Sequence, residues 1–266
     1  MATHRKGDHG DPRALLYEAA GLRWLSEASA AGGAAVVEIV AEEPGVLETR
    51  SVAHGAADAA SAEAFGRALA LTHAAGASHH GCPPPGFTGD GFMGRAALPL
   101  RAASPSGGDS WGEFYAADRI LPYLADAVAN GSIDGVGPRK VERCAARVAA
   151  GVFDAPQPAA VDGVARLHGD LWSGNVLWAR TDAGPVATLI DPAAQGGHAE
   201  SDLAQLAVFG APHLERIVAA YDEHSPLAEG WRERVGLHQL HMLIVHAALF
   251  GGSYGPQTVA VAARYA

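Results

Sequence analysis

Two apolar runs, residues 176–180 and 186–190, flank a Thr-Asp-Ala-Gly-Pro segment at 181–185. Strand-like runs separated by turn-forming residues predict a β-hairpin. No other stretch constrains the chain as much, because antiparallel strands of equal length bring the backbone back to where it started. Neighbouring strands lie ~4.8 Å apart. Asn175, just before the first strand, and Asp191, just after the second, are therefore expected side by side. Asp170 stands in the segment leading in, which reads Leu167-His168-Gly169-Asp170-Leu171-Trp172-Ser173-Gly174-Asn175. Two carboxylates and an amide oxygen gathered at one point suit a hard cation such as Mg²⁺, which takes oxygen ligands and typically one or two carboxylates plus phosphate oxygens.

The surroundings of this hairpin are mixed. Asp11 followed by Pro12 reads as a helix start, and Leu15, Ala19, Leu22 and Leu25 continue at helical spacing to about residue 30, before Gly32 and Gly33. At 100° per residue Glu18 falls inside that apolar arc, where a carboxylate needs a cation; Arg5 and Lys6 are the nearby upstream candidates. Residues 34–40 and 46–50 predict short strands around Glu43-Pro44-Gly45, and 58–75 a helix. Residues 81–109, rich in Gly and Pro, predict a long loop of the kind that is usually functional. Ser110-Trp111-Gly112-Glu113 matches a capping box and opens a helix. Further helices are expected at 138–153, 201–209, 212–222, 230–250 and 256–265. The fold class is α+β: a small α/β lobe over 1–51, then a larger, mainly helical lobe over 52–266 that carries the hairpin.

Of the 266 residues 48% are apolar and 18% charged, a soluble globular composition able to bury a core. A net charge of −10 argues against nonspecific nucleic-acid binding. No apolar run reaches the ~18 residues of a membrane span, and residues 1–13 show no apolar signal region. Cys82 and Cys144 stand alone, as expected of free thiols in a reducing compartment. A cytoplasmic monomer is the expectation.

The spacing H-x-D-x-x-x-x-N, then a strand pair and an Asp, is the catalytic-core layout of the protein-kinase-like fold. Taken singly the residues say little: His168 reads as a hydrogen-bonded core histidine, Asn175 as a cap, Asp191-Pro192 as a turn. Their joint spacing across a hairpin carries the reading. The run HGDLWSGN at 168–175, Asp191-Pro192, and G-H-x-E-x-D-L-A at 197–204 resemble the signature of the fructosamine (ketosamine) kinase family. Glu18-Ala19-Ala20-Gly21-Leu22, Gly91-Phe92-Met93-Gly94, Trp111-Gly112-Glu113-Phe114-Tyr115 and Phe250-Gly251-Gly252-Ser253-Tyr254 fit it too, so the resemblance covers nearly the whole chain from Arg5 onward. Aminoglycoside and choline kinases share HGDxxxxN but usually lack Trp172 and the G-H-x-E stretch.

The resemblance implies a bilobal kinase-like enzyme using ATP and Mg²⁺. It would transfer the γ-phosphate to the sugar 3-hydroxyl of a ketosamine, either a small glycated amine or a glycated lysine of a protein, and so serve deglycation. Asp170 would be the base, and Asn175 and Asp191 the metal ligands. Glu18 would pair with the phosphate-binding lysine, Lys6. Glu48 and Arg50 would lie in the hinge that meets adenine through backbone groups. His168 and Asp202 would support the catalytic loop, Asp202 also suiting a helix N-terminus. His198 and Glu200 would either approach the sugar or orient their loop, and Trp172 would either stack on substrate or pack.

One departure stands out. The family begins with a glycine-containing hairpin over the phosphates, which takes roughly 15 residues, whereas five precede Lys6. The expectation is a start site placed too far in, a truncated chain, or a weakened kinase. Other readings are an aminoglycoside- or amino-alcohol-type kinase, a nucleotide-binding protein without turnover, and a metal-dependent hydrolase built on His168, Asp170, Asp191 and His198.

Overall fold

A computed structural model describes residues 2–7, 10–103 and 110–266. The first part of the chain forms β1 (Thr3–Gly7), α1 (Arg13–Ser29), β2 (Ala35–Val36), β3 (Ile39–Glu43) and β4 (Val46–Arg50). Strand β4 is central: β1 and β3 both pair with it antiparallel, setting Lys6 opposite Leu47. Helix α1 begins one residue later than its sequence predicts, at Arg13 with Pro12 in the cap position, and the Asp11 carboxylate accepts the Arg13 N–H at 2.9 Å. Its apolar face closes on the sheet, burying Leu15, Ala19 and Leu22 with Val37 and Leu47; each of the Leu and Val side chains contributes about 1.5–3 kcal/mol.

The predicted strand at 34–40 is in fact two strands in different sheets. β2 runs parallel to a strand of the later hairpin, whereas β3 joins β4. The switch falls at Val37 and Glu38: Val37 N–H donates to Leu189 O at 3.0 Å, while Glu38 O accepts from Arg50 N–H at 2.8 Å. An unbroken apolar run cannot signal a change of partner.

Helix α2 (Ala59–Ala74) is capped reciprocally by Asp58 and Ser61, at 2.7 and 3.0 Å. The predicted loop at 81–109 contains a hairpin, β5 (Gly91–Met93) with β6 (Ala96–Leu98); residues 104–109 lie outside the described residues. Strands of three residues are too short to show a period of two. The hairpin is held instead by long-range contacts, among them Tyr123 Oη donating to Ala97 O at 2.9 Å. Ser110 Oγ accepts the Glu113 N–H at 3.2 Å and starts α3 (Trp111–Phe114), a π-helical turn (Tyr115–Ile120) and α4 (Leu121–Ala129).

Helix α5 (Gly137–Ala149) leads to β7 (Ala165–Leu167) and the hairpin β8 (Val176–Thr181) and β9 (Gly184–Leu189). This hairpin is tighter than predicted, with Thr181 paired to Gly184 across Asp182 and Ala183. Strand β10 (Gln195–Gly197) returns antiparallel to β7. Helices α6 (Glu200–Val208), α7 (Leu214–His224), α8 (Trp231–Phe250) and α9 (Tyr254–Tyr265) complete the larger part. Its main core gathers Trp111, Phe114, Tyr115 and Ile120 against Leu237, Leu240 and Ile244. Cys82 and Cys144 are both buried and free. Among the described residues no helix is long and apolar enough to cross a membrane.

Candidate active site

The segment between β7 and β8 is fixed through its backbone. Fully buried Asp202, in the first turn of α6, accepts the N–H of His168 at 2.7 Å, the N–H of Gly169 at 3.0 Å and His73 Nε2 at 3.2 Å. Gln205, one turn on, accepts Leu171 N–H at 2.7 Å and donates to Gly169 O at 3.1 Å. His168 is a hydrogen-bonded core histidine: Nε2 donates to Ile190 O at 2.9 Å, and burial pushes its pKa down. Gly169 is left-handed, φ +81°, and a Cβ there would stand 2.0 Å from Ala193 O, so no other residue fits.

Asp170 lies at the crest of this loop. Asn175 Nδ2 donates to its carbonyl at 2.8 Å and to its carboxylate at 3.1 Å. The same amide comes within 3.5 Å of Asp191 O, and Ile190 N–H donates to Asn175 O at 3.1 Å, so the hairpin ends meet as the strand register requires. Burial pushes the Asp170 carboxyl up to about 7; Asp191 and Asp202 add to this, and the Asn175 hydrogen bond opposes it. A carboxylate with a raised pKa and one restrained oxygen can accept a proton from a bound hydroxyl.

Asp170, Asn175 and Asp191 line a cleft of about 790 Å³, together with Lys6, Glu18 and Trp172. Lys6 Nζ donates to Glu18 Oε1 at 2.8 Å and also contacts Asp191. Burial alone would lower the Lys6 ammonium, but the charges of Glu18 and Asp191 outweigh it and hold the pKa above its ordinary value. At Glu18 burial prevails over the attraction of Lys6, and the pKa is raised. Asp191 is left-handed, φ +53°, a region Asp tolerates better than most residues. With Asn175 Nδ2 directed to Asp170 and Asp191, its Oδ1 remains for another partner. That oxygen and the Asp191 carboxylate are hard oxygen donors of the kind Mg²⁺ takes.

Trp172 lies against the backbone of Gly174, where a Cβ would come 2.1 Å from the ring, and its other side opens to the cleft. Glu48 and Arg50 are not among the cleft residues. Arg50 is bound by side chain to Glu38 at 2.5 and 2.9 Å, and its N–H is taken by Glu38 O. Thr3 Oγ1 donates to Glu48.

His198 and Glu200 also lie away from the cleft. Glu200 is held by Arg234 at 2.6 and 2.9 Å and by His238 at 3.3 Å. His198 Nδ1 accepts Glu200 N–H at 3.2 Å, and Nε2 faces Ala155 O and Pro156 O at 3.3 and 3.2 Å. His198, Glu200 and His238 lie close enough together to hold a metal, with potential ligand atoms within 4.8 Å of one another. Each ring nitrogen and both carboxylate oxygens already have a partner, however, and the Arg234 guanidinium would repel a second cation. His198 therefore does not join His168, Asp170 and Asp191 in one centre, as the hydrolase reading requires.

Sequence reasoning missed three supports of the loop: His73, Gln205 and Arg166. Arg166 on β7 donates to Trp24 O at 2.5 Å and Glu27 at 3.0 Å, and to Gly76 O at 3.2 Å beyond α2. The i, i+3 pair Asp202 and Gln205 was a readable signal, a polar pair on a helix face otherwise apolar.

A sequence model described as fructosamine kinase matches residues 16–265. A probable ketoamine kinase of Thermus thermophilus is 34% identical over 164 residues, 62% of this chain and 54% of that relative. The chain spans between 31% and 54% of the length of the first curated relatives it matches. A crystal structure of a candidate fructosamine-3-kinase from Thermobifida fusca superposes with a TM-score of 0.83 at 39% identity, covering 98% of this chain and 84% of that one. A choline/ethanolamine kinase family protein from Mesorhizobium loti, at 16% identity and TM-score 0.57 over 98% of this chain and 80% of that one, shares the fold. The architecture is thus the bilobal protein-kinase-like fold, and the chain belongs to the fructosamine kinase family.

Proposed function

We propose that the chain is an ATP-dependent small-molecule kinase that phosphorylates the 3-hydroxyl of ketosamines and so serves their removal. The observation that carries this reading is the braced loop presenting Asp170 beside Asn175 and Asp191, in one cleft with the Lys6–Glu18 pair. Phosphoryl transfer demands little covalent chemistry of a protein and much positioning and charge. Asp170 takes the proton of the acceptor hydroxyl as the hydroxyl oxygen bonds to the γ-phosphorus and the bond from that phosphorus to the leaving ADP oxygen breaks. The Asn175 hydrogen bond fixes which carboxylate oxygen does so. Lys6, oriented by Glu18, supplies positive charge to the nucleotide phosphates. Asn175 and Asp191 would hold Mg²⁺, which when bound neutralises phosphate charge. Residues 1–51 form the nucleotide-side lobe and 52–266 the acceptor-side lobe.

The braced loop alone equally suits a kinase of aminoglycosides or amino alcohols. Family membership favours ketosamines. The test is Mg-dependent ADP formation with fructosamine, ribulosamine and erythrulosamine acceptors set against an aminoglycoside and choline. Turnover with a ketosamine, and not with the other two, supports the reading. Turnover confined to choline or the aminoglycoside replaces it, and ATP binding without turnover on any acceptor points to a non-catalytic protein.

A further inference from the structure

The Trp172 ring that lines the cleft also begins a second surface. It meets Phe209 edge-on at 5.9 Å; Phe209 meets His246 at 5.5 Å and Tyr254 at 6.3 Å; His246 meets Tyr254 at 4.9 Å and Phe250 at 5.5 Å. Trp172, Phe209 and Phe250 are 37%, 43% and 61% exposed. Isolated exposed aromatics are ordinary, but a contiguous run of them opening from a cleft marks a binding surface. A second tie joins it to the cleft: a Cβ on cleft residue Gly94 would stand 3.9 Å from Leu249, next to Phe250.

This shelf is built from helix ends, with Phe209 just after α6, Phe250 closing α8 and Tyr254 opening α9. Asn130 Nδ2 donates to Ala247 O and Ala248 O at 3.0 and 2.8 Å, and Ser132 Oγ to Ala247 O at 2.9 Å, capping α8. Gly251 and Gly252, φ +67° and +63°, make the turn into α9. His246 Nδ1 donates to Met242 O at 2.8 Å, and burial pushes its pKa down, so the ring adds a flat neutral surface rather than a charge.

We propose that this aromatic shelf is the subsite for the amine-borne group of the acceptor, and that the preferred class is a ketosamine whose nitrogen carries an aromatic or bulky apolar substituent. The inference rests on the kinase reading. With the acceptor hydroxyl at Asp170, the amine substituent leaves the cleft past Trp172, two residues further along the chain. The five rings of the shelf, Trp172, Phe209, His246, Phe250 and Tyr254, offer aromatic faces, so a small or strongly polar substituent gains little from them.

The test compares kcat/KM for the fructose adducts of phenethylamine and methylamine in the full chain, with wild type, Phe209→Ala and Phe250→Ala. Wild type is expected to favour the phenethylamine adduct by at least about tenfold, the worth of one well-placed aromatic contact. Phe250→Ala, at the most exposed position, is expected to cut that ratio several-fold, and because a ratio is read, any general loss of folding cancels. A ratio near one in wild type, or one that neither variant changes, overturns the proposal. A change in oligomeric state with an unaltered ratio also overturns it, in favour of a contact between copies. If neither fructose adduct is turned over but ribulosamine or erythrulosamine is, the same ratio is read on the phenethylamine and methylamine adducts of that sugar; if no ketosamine is turned over, the kinase reading fails. Equilibrium binding then decides the shelf: tighter binding of the phenethylamine adduct that Phe250→Ala weakens supports it, and equal binding of the two adducts overturns it.

Discussion

The two walls of the cleft are held by different means. On the Asp170 side, the backbone N–H groups of His168, Gly169 and Leu171 are received by Asp202 and Gln205, and a glycine that no other residue can replace closes the turn. On the Lys6 side, a strand exposed along most of its length hangs from β4 by one edge, and its functional group is fixed by one ammonium shared between Glu18 and Asp191. The first wall is over-determined by buried hydrogen bonds, each expensive to leave unmade. The second depends on partly exposed ion pairs, which are weak individually and easily exchanged. Under the proposed function the difference is useful: a base needs a fixed oxygen, whereas a lysine that is to meet phosphate needs ion pairs that exchange easily.

The largest effect separating the walls should come from Asp170→Asn. We expect a loss of about 10³-fold in kcat, within the range for a general base, with an unfolding temperature equal to or above wild type, because burial already opposes the charge of this carboxylate. Next, Asp202→Ala strips partners from two buried backbone N–H groups and His73. It should cost about 3–5 kcal/mol in urea unfolding and abolish turnover although Asp202 does not line the cleft.

A third prediction uses pH. Burial would raise Glu200, but hydrogen bonds from His238 and Arg234 hold it down at about 2, against an ordinary 4.5. A carboxylate depressed on folding contributes stability that is fully present above its unfolded pKa and is lost as pH falls through its folded one. Its contribution, on the order of 3 kcal/mol, should fade between about pH 4.5 and 2. Arg234→Leu should raise the acid-unfolding midpoint; an unmoved midpoint would show the pair to be energetically idle. The smallest effect belongs to the looser wall: Lys6→Met should raise the KM for ATP about tenfold while changing stability by about 1 kcal/mol or less.

The difference between the walls also explains what could be read from sequence. The hairpin, and with it the meeting of Asn175 and Asp191, follows from strand geometry and local turn chemistry, and both are encoded within 25 residues. Glu18 was legible because a carboxylate on an apolar helix face demands a cation, and Lys6 meets it. The change of sheet at Val37, the hairpin at 91–98 and the supports from His73 and Arg166 were not legible. Each depends on a partner far away in the chain, and none alters the local pattern. His198 and Glu200 follow Asp191 closely in sequence but turn into a buried network with Arg234 and His238, after β10 has paired with β7.

The central claim is that Asp170 removes the proton of an acceptor hydroxyl. The most direct measurement is single-turnover ADP formation from Mg·ATP with a ketosamine acceptor, in wild type and Asp170→Asn, at nucleotide concentrations that saturate both. The account predicts acceptor-dependent ADP formation in wild type and its loss in the variant, with ATP affinity retained. Equal acceptor-dependent rates in the two proteins would contradict it.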